Sequence, residues 1–253
     1  MSWMRVLKSV IVGSLFSLAG CAAAEKVKDY PVRAIDQPYT VPRGVARWSF
    51  VTTLIPTDLR SAGYPVSQQV IPNPFIWETA LSDSLSLEFF PLLLRYKITS
   101  DQSGFWGIRG GLLGGAFSSI SSEAYIQWVL ELERLARLSS EMGVRVKLAA
   151  FLGNQFGSVN RTYPGIELSP KIAFQASDAI FLELGPSVRW SSNSYVNFLS
   201  ESVAFMSGWS VPIGLSGRWQ VSRQWEALAG YNLAAIPSTK TNHTIRLGLS
   251  HIW

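Results

Sequence analysis

From Gly44 to Trp253 apolar residues recur at every second position, and that period limits what the chain can fold into. Trp209, Val211, Ile213, Leu215, Trp219 and Val221 alternate with Ser210, Gly214, Ser216, Arg218 and Gln220. Ile166, Leu168, Ile172 and Phe174 alternate with Glu167, Ser169, Lys171 and Gln175, and Val144, Val146 and Leu148 with Arg145 and Lys147. On a strand this pattern makes one apolar and one charged face; on a helix it would scatter both sets around the axis. Apolar residues make up 47% of the 253 and charged ones 15%, which excludes disorder. Past the first 20 residues no run of about 18 apolar residues occurs, so helical membrane spans are excluded there. Two classes remain, a soluble β-protein and a transmembrane β-barrel.

Residues 1–20 read as an export signal. Arg5 and Lys8 supply a positive start, and Val10 to Ala19 a short apolar stretch. Leu18-Ala19-Gly20-Cys21 follows, a Leu-small-small-Cys pattern that resembles bacterial lipoprotein signals, in which the cysteine becomes the lipidated first residue. Cys21 is the single cysteine of the chain, so it is the lipidation candidate, and an internal disulfide is excluded. Ala22-Ala23-Ala24 offers an ordinary cleavage site as the alternative. Removing Arg5 and Lys8 lowers the formal charge from +5 to +3, too small a surplus to argue for nucleic acid. Residues 21–43 are polar, carry Pro31, Pro38 and Pro42, and read as an extended linker. Residues 44–253 form the β-domain.

Two features favour the membrane. The alternating segments run about 10 to 14 residues, longer than usual soluble strands and right for tilted membrane strands. Aromatic residues recur near segment ends, at Trp48, Trp77, Tyr96, Phe117, Trp190, Trp209, Trp225, Tyr231 and Trp253, where headgroup-level girdles of a barrel would lie. At the C-terminus Ile245, Leu247, Leu249, His251 and Trp253 share one face, with Thr244, Arg246, Gly248 and Ser250 on the other. This resembles the β-signal of bacterial outer-membrane β-barrels, a last strand ending on an aromatic residue; His251 departs from the usual choice. The resemblance implies placement in the bacterial outer membrane with both termini periplasmic. It also implies two partners, outer-membrane lipid and the barrel-assembly machinery.

Candidate strands lie near Val45 to Leu54, Phe75 to Leu81, Leu85 to Ile98, Phe105 to Phe117, Ala124 to Leu138 and Val144 to Leu152. Five more lie near Gly165 to Ala176, Ile180 to Trp190, Val203 to Val221, Trp225 to Ile236 and Thr244 to Trp253. Eleven is odd, and a bacterial single-chain barrel needs an even number. Between Leu85 and Ile98 the phase slips beside Pro91: Leu85, Leu87 and Phe89 share one face, Phe90, Leu92, Leu94 and Tyr96 the other. A bulge or a hairpin that splits the stretch accounts for the slip, and a split gives twelve strands. At about 20 residues per strand with connections, the expectation is an all-β antiparallel transmembrane barrel of about ten strands, with twelve or eight as alternatives. Ser82-Asp83-Ser84, Ser177-Asp178 and Ser222-Arg223 read as hairpin turns, and Leu130 to Leu138 also fits helical spacing.

With the apolar faces in lipid, the lumen receives Arg47, Arg95, Lys97, Arg109, Arg145, Lys147, Lys171, Arg189, Arg218 and Arg246, and Glu78, Glu88, Glu131, Glu133, Glu167, Glu183 and Glu226. Charges in so confined a space are expected to pair across strands, with Arg218 and Glu183 as a candidate pair, leaving little room for flow. A small basic excess would tilt any residual pore toward anions.

A nucleophilic serine needs a histidine within hydrogen-bond reach. The chain has only His243 and His251, and neither stands two residues from a serine on the same strand face. No catalytic, cofactor-binding or metal-binding residue is therefore assigned. Gly110-Gly111 and Gly114-Gly115 lie in a strand-like segment and relieve crowding there. The expected function is a small non-enzymatic barrel, structural or binding an unknown surface ligand through loops near Ile55 to Pro74, Gly153 to Tyr163 and Ser191 to Ser200. The alternatives are a narrow channel or transporter for small solutes, a lipid-acting enzyme, and a periplasmic β-protein tethered by Cys21.

Overall fold

The computed structural model describes residues 30–55, 69–89, 92–118, 123–156, 160–192, 195–196, 204–205, 208–235 and 241–253. The export signal, Cys21 and the first part of the linker lie outside them. The strands are β1 (Ala46–Ile55), β2 (Gln69–Ala80), β3 (Leu85–Phe89), β4 (Leu92–Asp101), β5 (Gly104–Ser118), β6 (Glu123–Arg137), β7 (Met142–Phe156) and β8 (Arg161–Gln175). They continue with β9 (Ile180–Pro186), β10 (Val188–Ser191), β11 (Tyr195–Val196), β12 (Ala204–Phe205), β13 (Gly208–Ser210), β14 (Ile213–Gln220), β15 (Trp225–Ala235) and β16 (Thr241–Ile252). Strand β9 continues into β10 across Ser187, and β13 into β14 across Val211-Pro212, so these four segments make two spanning strands. β11 and β12 pair only with each other.

The remainder is a closed antiparallel ring. β1 pairs with both β2 and β16, and β9 with both β8 and β14. It has twelve spanning strands, the alternative that a split at Pro91 gives, in place of about ten. The difference lies at Pro91, where β3 and β4 pair with each other (Glu88 opposite Leu93), so the phase slip marks a hairpin and not a bulge. The candidate helix near Leu130 is part of β6. Proline is accommodated at irregularities: the β1–β2 register shifts between Ser49 and Val51, beside Pro74. Pro170 of β8 lies between the β9 and β10 ladders. There Gly185 is required, because a Cβ would stand 2.2 Å from the Pro170 carbonyl oxygen.

Five short turns and Trp253 lie at one end of the barrel, the turn end. Four turns share one closing pattern, with Leu81, Leu138, Ala176 and Val221 N–H donating to the carbonyls of Leu85, Met142, Ile180 and Trp225. Serine braces two of them: Ser139 Oγ accepts from the Met142 N–H at 3.0 Å and Ser222 Oγ from the Trp225 N–H at 3.2 Å. Six connections lie at the other end, the loop end. Two proposed loops are shorter than expected, because β2 begins at Gln69 and only residues 157–160 separate β7 from β8.

The outer surface is a belt of exposed apolar side chains, among them Leu130, Ile172, Leu184, Ile213 and Leu247. A belt on every side of a barrel is a lipid-facing surface. At the turn end it finishes in an aromatic group over the seam of β2, β1, β16 and β15. Trp48 meets Trp225 edge-on at 5.7 Å, Trp77 meets Trp253 at 5.5 Å, and His251 stacks between Trp225 (4.5 Å) and Trp253 (5.3 Å). Ile245, Leu247, Leu249, His251 and Trp253 thus share the outer face, opposite the buried Thr244 and Ser250. Trp253 also exchanges two backbone hydrogen bonds with Ala46, at 2.8 and 3.0 Å, which closes the seam.

Candidate functional site: the barrel lumen

The charged faces point inward, and the lumen is built in layers. Toward the loop end, Leu93, Leu113, Val129, Ala149, Phe151 and Tyr163 form an apolar cluster inside β4 to β8. Below it runs an ionic belt. Glu88, 2% exposed as a side chain, bridges Arg95 and Arg109, the latter at 2.8 Å. Arg109 continues to Glu131 at 3.1 Å, and Arg95 reaches Glu78, which also accepts from Ser86 Oγ at 2.8 Å. Arg145 joins Glu133 (3.3 Å) to Glu183 (2.9 Å), and Glu167 joins Lys147 (3.9 Å) to Arg189 (3.0 Å). Each carboxylate of the belt meets a cation within reach, which is what makes such burial tolerable.

The pair expected between Arg218 and Glu183 is not formed. Register places Ser216 opposite Glu183 and Phe181 opposite Arg218, so Glu183 turns to Arg145 and the Arg218 guanidinium lies over the Phe181 ring at 5.6 Å.

The turn-end mouth is filled by a segment that sequence reasoning took for linker. From Tyr30 the chain runs inside the barrel, with one 3-10 turn at Ala34–Asp36. Ala34, Ile35 and Tyr39 pack against Phe105, Leu135, Ala173 and Phe181, and Tyr30, Val41 and Val45 against Ile252. The wall binds its polar groups as well. The Ile35 N–H donates to Gln175 Oε1 at 3.1 Å, Arg95 donates to the Tyr39 carbonyl at 3.3 Å, Arg47 donates to the Tyr30 hydroxyl, and Arg137 pairs with Asp36 at 3.4 Å. Burial raises both tyrosine phenols above their ordinary value, against the opposing pull of Arg47 and Arg95, so the seated segment stays uncharged there.

Gly107 of β5 makes room for the Tyr39 ring, since a Cβ there would lie 2.2 Å from Tyr39 Cε1. Gly107→Val is therefore expected to unseat the segment. In a Cys21→Ser background, Ile35→Cys (Ile35 is 0% exposed) should resist a maleimide reagent, and adding Gly107→Val should make it react.

Between the belt and the segment lies a cavity of about 300 Å³, lined by belt residues on one side and by Gly214, Ser216, Gly230 and Ser250 on the other. Both histidines are outside it, toward opposite ends of β16. His251 belongs to the aromatic group, and His243 Nδ1 lies 2.5 Å from the Tyr231 hydroxyl on the outer face.

No family model and no curated protein matches the sequence. Solved structures match in shape. A KdgM porin aligns over 81% of this chain and 98% of its own, with TM-score 0.50 and 7% identity. The translocator domain of the autotransporter NalP from Neisseria meningitidis aligns over 95% and 96%, with TM-score 0.49 and 11% identity. The beta domain of the Bordetella autotransporter Brka aligns over 82% and 98%, with TM-score 0.46 and 11% identity. With its closed ring, lipid-facing belt and charged lumen, the chain has the fold of the bacterial outer-membrane β-barrels.

Proposed function

We propose that this protein is a non-enzymatic outer-membrane barrel closed to solute flow, acting as a structural element or binding a surface ligand at its loop end. The observation that carries this reading is the seating of residues 30–45 in the turn-end mouth. The ionic belt and the apolar cluster above it add to the closure. Short turns face the periplasm in bacterial barrels, which supports a periplasmic position for Tyr30 and Trp253, with the outer face of β16 as the surface that the barrel-assembly machinery would read. Purified whole protein in planar bilayers is expected to be silent, and a variant lacking residues 22–43 to conduct. Reproducible conductance steps from the whole protein would instead favour the second reading, a narrow channel, which the cavity of about 300 Å³ supports.

Lipidation of Cys21 fits the same arrangement. Nine residues from Cys21 to Tyr30 reach at most about 30 Å, enough for a lipid in the periplasmic leaflet beside a segment seated in the mouth. Labelled fatty acid should enter the wild type and not Cys21→Ser; equal labelling of the two would exclude Cys21 as the acceptor.

A further inference from the structure

The charges of the lumen are unevenly balanced between its two sides. On β2 to β10, six carboxylates (Glu78, Glu88, Glu131, Glu133, Glu167, Glu183) face seven cations, with Arg137 paired separately to Asp36 of the seated segment, and the belt ties most of them together. The strands β14, β15, β16 and β1 themselves carry Arg47, Arg218 and Arg246 and one carboxylate, Glu226. Glu226 is 3% exposed and, together with Glu78 opposite Arg47 on β2, acts electrostatically on Arg47 at the turn end of this wall. There the side chains are small. Ser216 of β14 lies opposite Gly230 of β15, and Gly230 opposite Arg246 of β16. A Cβ on Gly230 would meet Arg246, Leu215 and Ser216 at the ordinary contact distance of 3.7–3.8 Å, and the hollow at this point is the cavity that Ser216 and Gly230 line. Arg218, one register step toward the turn end, lines the hollow; no carboxylate lies within salt-bridge distance of it among the described residues, and its guanidinium rests on the Phe181 ring.

A half-buried guanidinium lining a confined cavity attracts a counter-charge. The belt carboxylates that line the same cavity, Glu88, Glu131, Glu133 and Glu183, are already bridged by Arg95, Arg109 and Arg145, and a planar fork with one face on an aromatic ring presents its N–H edge to a bidentate oxyanion. We propose that the hollow beside Arg218 is a binding site for a small solute carrying a carboxylate or phosphate group. The cavity of about 300 Å³ lies at the lower end of ordinary ligand pockets. The proposal rests on the reading of the barrel as closed at its turn end, which makes the lumen a pocket instead of a passage.

The test is isothermal titration of the detergent-solubilised whole protein with inorganic phosphate and, separately, with citrate. Folding of each variant is checked by heat-modifiable migration. The wild type should give saturable one-to-one heat with at least one probe. Arg218→Gln should weaken binding at least tenfold, Arg218→Lys less, and the exterior variant Arg134→Gln not at all. Gly230→Leu, which fills the hollow and leaves Arg218 in place, should abolish binding and serves if Arg218→Gln does not fold. A preference for phosphate over citrate would assign a phosphorylated solute, and the reverse an organic acid. Absence of saturable heat with both probes, or undiminished affinity in Arg218→Gln and Gly230→Leu, would overturn the site. The conductance measurement is separate: a conducting wild type that binds through Arg218 would sink only the closed reading.

Discussion

Leu247→Arg is expected to abolish most of the folded barrel, whereas Leu247→Ile should leave it intact. Leu247 is 48% exposed on the outer face of β16, between Thr52 of β1 and Ala229 of β15, in the middle of the strand that closes the ring. An arginine at the midplane of a bilayer costs about 2–4 kcal/mol on a barrel surface. Neighbours of this position offer an arginine no compensating carboxylate, since the surrounding outer face is Phe50, Leu249, Ala229 and Ile245. Failure here also leaves β1 without its partner, and unpaired backbone groups in lipid cost several kcal/mol each. The heat-modifiable fraction in membrane preparations measures the outcome. Full assembly of Leu247→Arg would mean that this face meets water.

Glu88→Gln should be the most destabilising single change in the lumen, by about 3 kcal/mol, roughly a hundredfold in the folding equilibrium. Arg95 and Arg109 stand directly opposite each other on β4 and β5, a like-charge pairing that a sheet disfavours. Both direct a guanidinium at Glu88. Without that carboxylate the two cations face each other at close quarters, and Glu78 and Glu131 compensate only from the flanks. Removing one cation should relieve the conflict. The double variant Glu88→Gln/Arg95→Gln is accordingly expected to melt above Glu88→Gln alone, because Arg109 keeps Glu131 and Glu78 keeps the Ser86 hydroxyl. The midpoint temperature of the heat-modified gel shift reads both, and a double variant less stable than the single one would show that the repulsion is already screened by water.

The barrel was legible because its rule is local. Lys171 and Ile172 must fall on opposite faces whatever the rest of the chain does. The slip at Phe90 and Pro91 was equally legible as a break in phase. The strand number was not, because a residue count per strand assumes connections of average length. Here Gln102 and Ser103 suffice for one turn, and residues 157–160 for one loop. The ion pairs escaped for a different reason. Which carboxylate meets which arginine depends on register, and one step separates Ser216 opposite Glu183 from the expected Arg218. The mouth-filling segment obeys no period at all: Tyr30, Ile35, Tyr39 and Val41 are spaced irregularly among prolines. A signal for it did exist on the wall. Phe105, Leu135 and Phe181 are apolar at lumen-facing positions near the turn end, where alternation alone would put polar groups.

The seat of that segment also imposes an order on assembly. Its upper part rests on residues of β5, β6, β8 and β9, but Tyr30, Val41 and Val45 rest on Ile252, the last residue of the last strand. No pocket for them is complete until β16 has reached β1 and Trp253 has bonded to Ala46. The part of the stretch around Tyr30, Val41 and Val45, although it precedes the first strand, therefore completes its seat only after the ring has closed.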